Sequence, residues 1–192
     1  MEAFLVSIGI VALAEIGDKT QLLVLVLAAR YRRSLPIVLG ILVGTLANHT
    51  LAAVFGAWLV ETVGGDSMRW IVAAAFFVMA AWTLVPDKLA EKPESASRFG
   101  VFGATVSAIF LLEMADKTQI ATVTLAARYA SVIPVIAGTT AGMMLANVPA
   151  VLLGARILER VPIRLVRGIA AATFAALGIY AIAEGVSFSG SM

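Results

Sequence analysis

Twice in this chain a glutamate is followed, after two residues, by aspartate, lysine, threonine and glutamine in unbroken order. The first copy is Glu15, Asp18, Lys19, Thr20 and Gln21; the second is Glu113, Asp116, Lys117, Thr118 and Gln119. On a regular helix, residues three and four apart share a face, so Glu15, Asp18 and Lys19 stand together, as do Glu113, Asp116 and Lys117. Carboxylate, amide and hydroxyl oxygens are hard donors suited to calcium, magnesium or manganese. If the two faces meet, Glu15, Asp18, Glu113 and Asp116 are the metal-ligating set. Lys19, Thr20, Gln21, Lys117, Thr118 and Gln119 then support it, although the threonines point away if the helices stay regular. Gly17 lets the first copy unwind and offer backbone carbonyls as further ligands, whereas Ala115 makes this less easy in the second.

Charge defines what such a site can do. Two Glu and two Asp carry four negative charges, and protonated Lys19 and Lys117 leave −2, which one divalent ion balances. An empty site cannot stay so charged, because two carboxylates about 5 Å apart at an effective dielectric near 20 repel by roughly 3 kcal/mol. Protons should replace the departing metal, giving an exchange of cation for protons whose stoichiometry the coupled carboxylates do not reveal. The bland alternative makes Glu15–Lys19 and Glu113–Lys117 intrahelical ion pairs that neutralise each other for insertion; it leaves Asp18 and Asp116 unexplained. Asn48 and Asn147 are further supporting candidates, His49 is expected to be a satisfied core histidine, and Met143-Met144 to fill space.

The segments that carry these motifs are strongly apolar. With 61% hydrophobic and 14% charged residues among 192 and a mean hydropathy of +0.99, the chain has too little polar surface for a soluble globule, so it is expected to lie in a lipid bilayer. Apolar runs near 3–28, 35–60, 70–86, 100–126, 132–157 and 168–186 predict six transmembrane helices. Charged groups at membrane depth usually mark an ion pathway. The first run starts with Glu2 rather than a basic segment and is expected to be retained rather than cleaved. Arg30, Arg32, Arg33, Lys88, Lys92, Arg98, Arg156, Arg160, Arg164 and Arg167 fall on one side and only Arg69 and Arg128 on the other. The first side is expected in the cytoplasm, which leaves both termini outside the cell (inner) membrane.

Sliding the chain by 98 residues superposes the motifs and continues through Leu27-Ala28-Ala29-Arg30-Tyr31 on Leu125-Ala126-Ala127-Arg128-Tyr129, Pro36 on Pro134, Gly40 on Gly138 and Gly44 on Gly142. About sixteen of forty-five positions over 15–59 are identical without a gap. Three crossings per copy reverse the second in the membrane, so the expected fold is all-α, polytopic, with two inverted three-helix repeats. Residues 1–86 form the first repeat, 87–98 a cytoplasmic linker and 99–192 the second. The glycine pairs at four-residue spacing predict close helix packing.

The absence of cysteine and the single His49 remove disulfides and the usual ligands of zinc, copper and iron–sulfur clusters. No cofactor and no nucleic-acid partner are expected. An intramembrane aspartyl protease needs a Gly-x-Gly-Asp context, but the residues two before Gly17 and Ala115 are glutamates, so the chain is expected to be a transporter and not an enzyme. An exporter of small organic solutes such as amino acids is the alternative, and self-association is left open.

Two Glu-x-Gly-Asp-(Lys/Arg)-(Thr/Ser) signatures in a six-helix inverted repeat closely resemble the family of small cation/proton exchangers that includes the Golgi manganese and calcium transporters and the bacterial MneA-type manganese exporters. The resemblance spans nearly the whole chain and implies that the acidic residues of both signatures form the cation site, which carries over to Glu15, Asp18, Glu113 and Asp116. It implies export of Mn2+ or Ca2+ from the cytoplasm in exchange for protons, and the size of the chain looks more like the manganese exporters. Ala115 departs from the pattern, where glycine is expected.

Overall fold

The computed structural model describes residues 1–85, 100–114, 116–154 and 162–184; the expected linker 87–98, Ala115, Arg156 and Arg160 lie outside them. Among the described residues all regular structure is helical: α1 (Glu2–Glu15), α2 (Lys19–Tyr31), α3 (Ser34–Val63), α4 (Gly65–Leu84), α5 (Gly100–Glu113), α6 (Lys117–Tyr129), α7 (Val132–Leu153) and α8 (Ile163–Glu184). Four of these are long and apolar enough to cross a membrane: α3, α4 from Ser67, α7, and α8 to Ala183; α5 is a shorter apolar helix. Thirty residues give α3 a length of roughly 45 Å, so it would have to tilt in a hydrocarbon layer of about 30 Å.

The first and fourth apolar runs differ from expectation. Each was expected to be a single helix, and each is two helices broken inside the acidic motif. Gly17 takes φ +79°, a left-handed conformation that glycine adopts without a Cβ penalty. Asp18 and Asp116 are extended, with ψ 167°, and precede α2 and α6 as their N-caps. The face-sharing argument for Glu15 with Asp18, and for Glu113 with Asp116, therefore fails, because the first helices end at the glutamates and the aspartates are extended. The ends of the third and last runs also shift: α4 and α8 each begin about five residues earlier than the apolar pattern, which brings Arg69 and Arg167 inside the helices.

Packing relates the two halves by exchange. α1 lies along α7, and α5 along α3, so each motif's first helix packs against the middle helix of the other half. Glycines create these contacts. A β-carbon on Gly138 would lie 2.5 Å from the Phe4 carbonyl oxygen, and one on Gly142 2.7 Å from that of Ile8; on the other side, Gly40 meets Thr105 and Gly44 meets the Val106 carbonyl. The expected role of the glycine pairs in close packing is thus observed, with α1 and α5 as partners. Replacing Gly138 by Leu is expected to lower stability by about 1–3 kcal/mol or more through overpacking. Gly168→Ala, at a position with open space around it, is expected to leave the thermal midpoint of the detergent-solubilised protein unchanged.

One end of the bundle is tied by polar and aromatic contacts. The Tyr129 hydroxyl donates to Glu2 at 3.3 Å, and the Arg128 guanidinium lies 4.7 Å from the Tyr180 ring centre, linking the end of α6 to the start of α1 and the end of α8. The position matching Glu2 in the second half is Gly100, which has no side chain to repeat the bond.

Candidate functional site

The two broken motifs meet in the interior. Carboxylate oxygens of Glu15, Glu113 and Asp116 lie within 4.8 Å of one another, and all three residues are buried. Asp18 is not part of this trio; it is buried, and its carboxylate pairs with the Lys117 ammonium. The reciprocal pair joins Lys19 to Asp116 at 2.6 Å. Each lysine therefore reaches the aspartate of the opposite half. The intrahelical Glu15–Lys19 and Glu113–Lys117 pairs of the bland alternative are not the ion pairs formed.

Helix breakage also reorients the threonines. Thr20 and Thr118, which would point away from the site on a regular helix, both donate to Glu113, Thr118 at 2.6 Å to one oxygen and Thr20 to the other. Thr118 also approaches Asp116 at 3.5 Å. Glu113 is thereby held at both oxygens, whereas Glu15 is held loosely. One Glu15 oxygen accepts from Asn147 at 3.5 Å, and the other is buried with no hydrogen-bond partner among the described residues. The Asn147 side-chain oxygen is likewise unpartnered.

The glutamines brace the breaks. Gln21 accepts from the Gly17 backbone N–H at 2.8 Å and donates to the Ala146 carbonyl at 2.8 Å. Pro149 lies inside α7, three residues beyond the carbonyl on which Gln21 docks. Gln119 donates to Asn48 at 3.0 Å, and Asn48 in turn donates to the Phe110 carbonyl at 3.1 Å. Positions 48 and 146 are 98 residues apart, so the two glutamines reach matching places on α3 and α7.

Two features were not legible in the motifs. Arg167 of α8 donates to the Gly17 carbonyl at 3.0 Å, which satisfies the backbone group freed by the break. His49, expected to be satisfied, is fully buried, and neither ring nitrogen has a hydrogen-bond partner among the described residues. Its place opposite Asn147 in the repeat was the available signal for a special environment.

A buried cluster of three carboxylates, with the Lys19 ammonium on Asp116 and the Lys117 ammonium on Asp18, is chemically equipped for a hard cation. The chain matches the family described as divalent cation/proton antiporter GDT1 twice, over residues 3–91 and 101–188. It is 49% identical over 175 residues to a Vibrio cholerae protein named "Putative manganese exporter", covering 91% of this chain and 87% of that protein. No solved structure matches the chain. The two family matches begin 98 residues apart, in step with the internal repeat, and the organic-solute alternative is set aside. On its doubled motif and the length of these matches, the chain belongs to the GDT1 family of divalent cation/proton antiporters.

Proposed function

We propose that this antiporter exports manganese from the cytoplasm in exchange for protons, with Glu15, Glu113 and Asp116 as direct ligands and Asp18 held in reserve by Lys117. The observation that carries the assignment is the gathering of carboxylate oxygens of Glu15, Glu113 and Asp116 within 4.8 Å of one another in the interior, where one Glu15 oxygen has no hydrogen-bond partner among the described residues. A bare carboxylate oxygen in a dry interior is costly, and a cation or a proton removes that cost. The two occupants compete for the same oxygens, which couples their movements in opposite directions. Thr20, Thr118 and Asn147 orient the carboxylates, and Lys19 and Lys117 reduce the net charge to one that a single divalent ion neutralises. The relative's name favours manganese, and the oxygen donor set also suits calcium.

The architecture that best supports this exchange is two inverted three-helix repeats, 1–86 and 99–192 joined by 87–98, in which each of the broken pairs α1–α2 and α5–α6 makes one crossing. The exchanged packing of α1 on α7 and α5 on α3 supports it. So does the distribution of Arg and Lys, which favours a multi-pass cell-membrane protein with both termini outside the cytoplasm.

Proteoliposomes with an imposed pH gradient test the proposal. Manganese movement is expected to run opposite to protons and to stop when the gradient is collapsed, with calcium slower and magnesium slowest. Transport that ignores the gradient, or a preference for magnesium, would overturn it.

A further inference from the structure

The two breaks are not treated alike by the helices around them. At the first, α8 closes in: the Arg167 guanidinium donates to the Gly17 carbonyl, and the Ile163 side chain lies so close that a β-carbon on Gly17 would be 2.7 Å from it. At the second, a cavity of about 500 Å³ opens between α3, α4 and α6, with Met114 in its wall and Ile71 and Ala75 on the α4 side. The residue of α4 that matches Arg167 is Arg69, 98 positions earlier. Its guanidinium lies over the ring of its own neighbour Trp70, and its Nε has no hydrogen-bond partner among the described residues.

The helix packing is lopsided in the same sense. α4 and α8 pack tightly on each other; α8 also lies along α1, and α4 along α6. Among the described residues no comparable packing joins α8 to α2 or α4 to α5, the contacts that exchanging the halves would generate. The α4–α8 pair thus sits to one side of the site.

We infer that Arg167 and Arg69 are alternating positioning residues. Arg167 fastens α8 to the first break in the state seen here, and Arg69 fastens α4 to the second break when the α4–α8 pair has moved to the opposite side. A guanidinium suits this work because it is permanently charged, and its planar donors can cap a backbone carbonyl without titrating during the proton cycle. This rests on the antiport reading, since exchange requires the site to face both sides in turn.

The chain contains no cysteine, so paired spin labels report a single distance. Labels at Ala29→Cys on α2 and Leu165→Cys on α8, with the protein in nanodiscs without metal or pH gradient, measure how near α8 comes to α2. Arg167→Gln is expected to raise the short-distance population about tenfold, the effect of losing one charge-assisted hydrogen bond from one of two states. Adding Arg69→Gln should reverse that shift, and Arg167→Lys should fall between the wild type and Arg167→Gln. An unchanged distribution in Arg167→Gln, or a shift in the same direction on adding Arg69→Gln, would overturn the inference. If Arg167→Gln does not fold, Arg69→Gln alone decides: exchange slowed about tenfold in a folded protein supports the inference, and unaltered exchange refutes it. Because the distances need neither metal nor protons, they can fail while cation exchange stands.

Discussion

Glu113→Gln is expected to abolish cation exchange while raising the thermal stability of the metal-free protein. Glu113 contributes to the buried carboxylate trio, and both of its oxygens are held by threonine hydroxyls. Glutamine keeps its shape and can still accept from one hydroxyl, so the packing survives. What it removes is one unit of charge from a buried site. At an effective dielectric near 20, a unit charge 4 Å from another is worth about 4 kcal/mol, and a divalent ion feels about twice that. Even after generous discounting for relaxation, manganese affinity should fall at least about a thousandfold, since each 1.4 kcal/mol is tenfold. The empty site meanwhile loses one of several mutually repelling groups, which favours the folded state. Titration calorimetry with manganese and a thermal melt without it check the two halves. Affinity close to wild type would mean that the cation binds elsewhere.

The same reasoning sets a pH sign. Protons and metal contest one group of oxygens, so acidification must weaken manganese binding to the wild type, and the release of manganese must accompany proton uptake. In Glu113→Gln this competition is expected to lessen, with the remaining binding less dependent on pH.

Much of this was legible in the residues, and the part that was not has a definite cause. Hydropathy and the 98-residue repeat located the apolar segments, the glycine contacts and, Asp18 apart, the acidic residues that gather in the interior, because burial, close approach and charge leave marks at fixed spacings. The helix breaks were harder. Gly17 advertised the first, but Ala115 argued against the second, and yet α5 ends at Glu113 and α6 begins at Lys117. A regular-helix assumption therefore placed Thr20 and Thr118 away from Glu113, to which both donate, and put each lysine on the face of its own glutamate. Partner choice across the two halves is a property of tertiary packing. So is the docking of Arg167 on Gly17: counting arginines by side of the membrane recorded its charge and missed its hydrogen bond.

The reciprocal ion pairs give the sharpest separation of stability from transport. Lys117 and Asp18 are both buried, while Lys19 keeps about a fifth of its side chain exposed beside buried Asp116. Lys117→Gln strands the Asp18 carboxylate in the interior, and breaking one side of such a pair typically costs about 3–5 kcal/mol. Asp18→Asn strands the ammonium with a similar result, whereas the double variant leaves two neutral partners able to hydrogen-bond and should recover most of the stability. Lys19→Gln is expected to cost less, because this ion pair is partly open to solvent on the Lys19 side. A double-mutant cycle of unfolding in detergent measures the coupling directly. Transport should not follow stability: the double Asp18→Asn, Lys117→Gln variant retains Glu15, Glu113 and Asp116, so it should still bind manganese. Its site carries the same net charge, because one negative and one positive group are removed together. Manganese affinity within about tenfold of the wild type is therefore expected, set against the thousandfold loss in Glu113→Gln. If the double variant instead loses binding as completely as Glu113→Gln does, Asp18 is itself a ligand, and Lys117 is the group that must release it when the cation arrives.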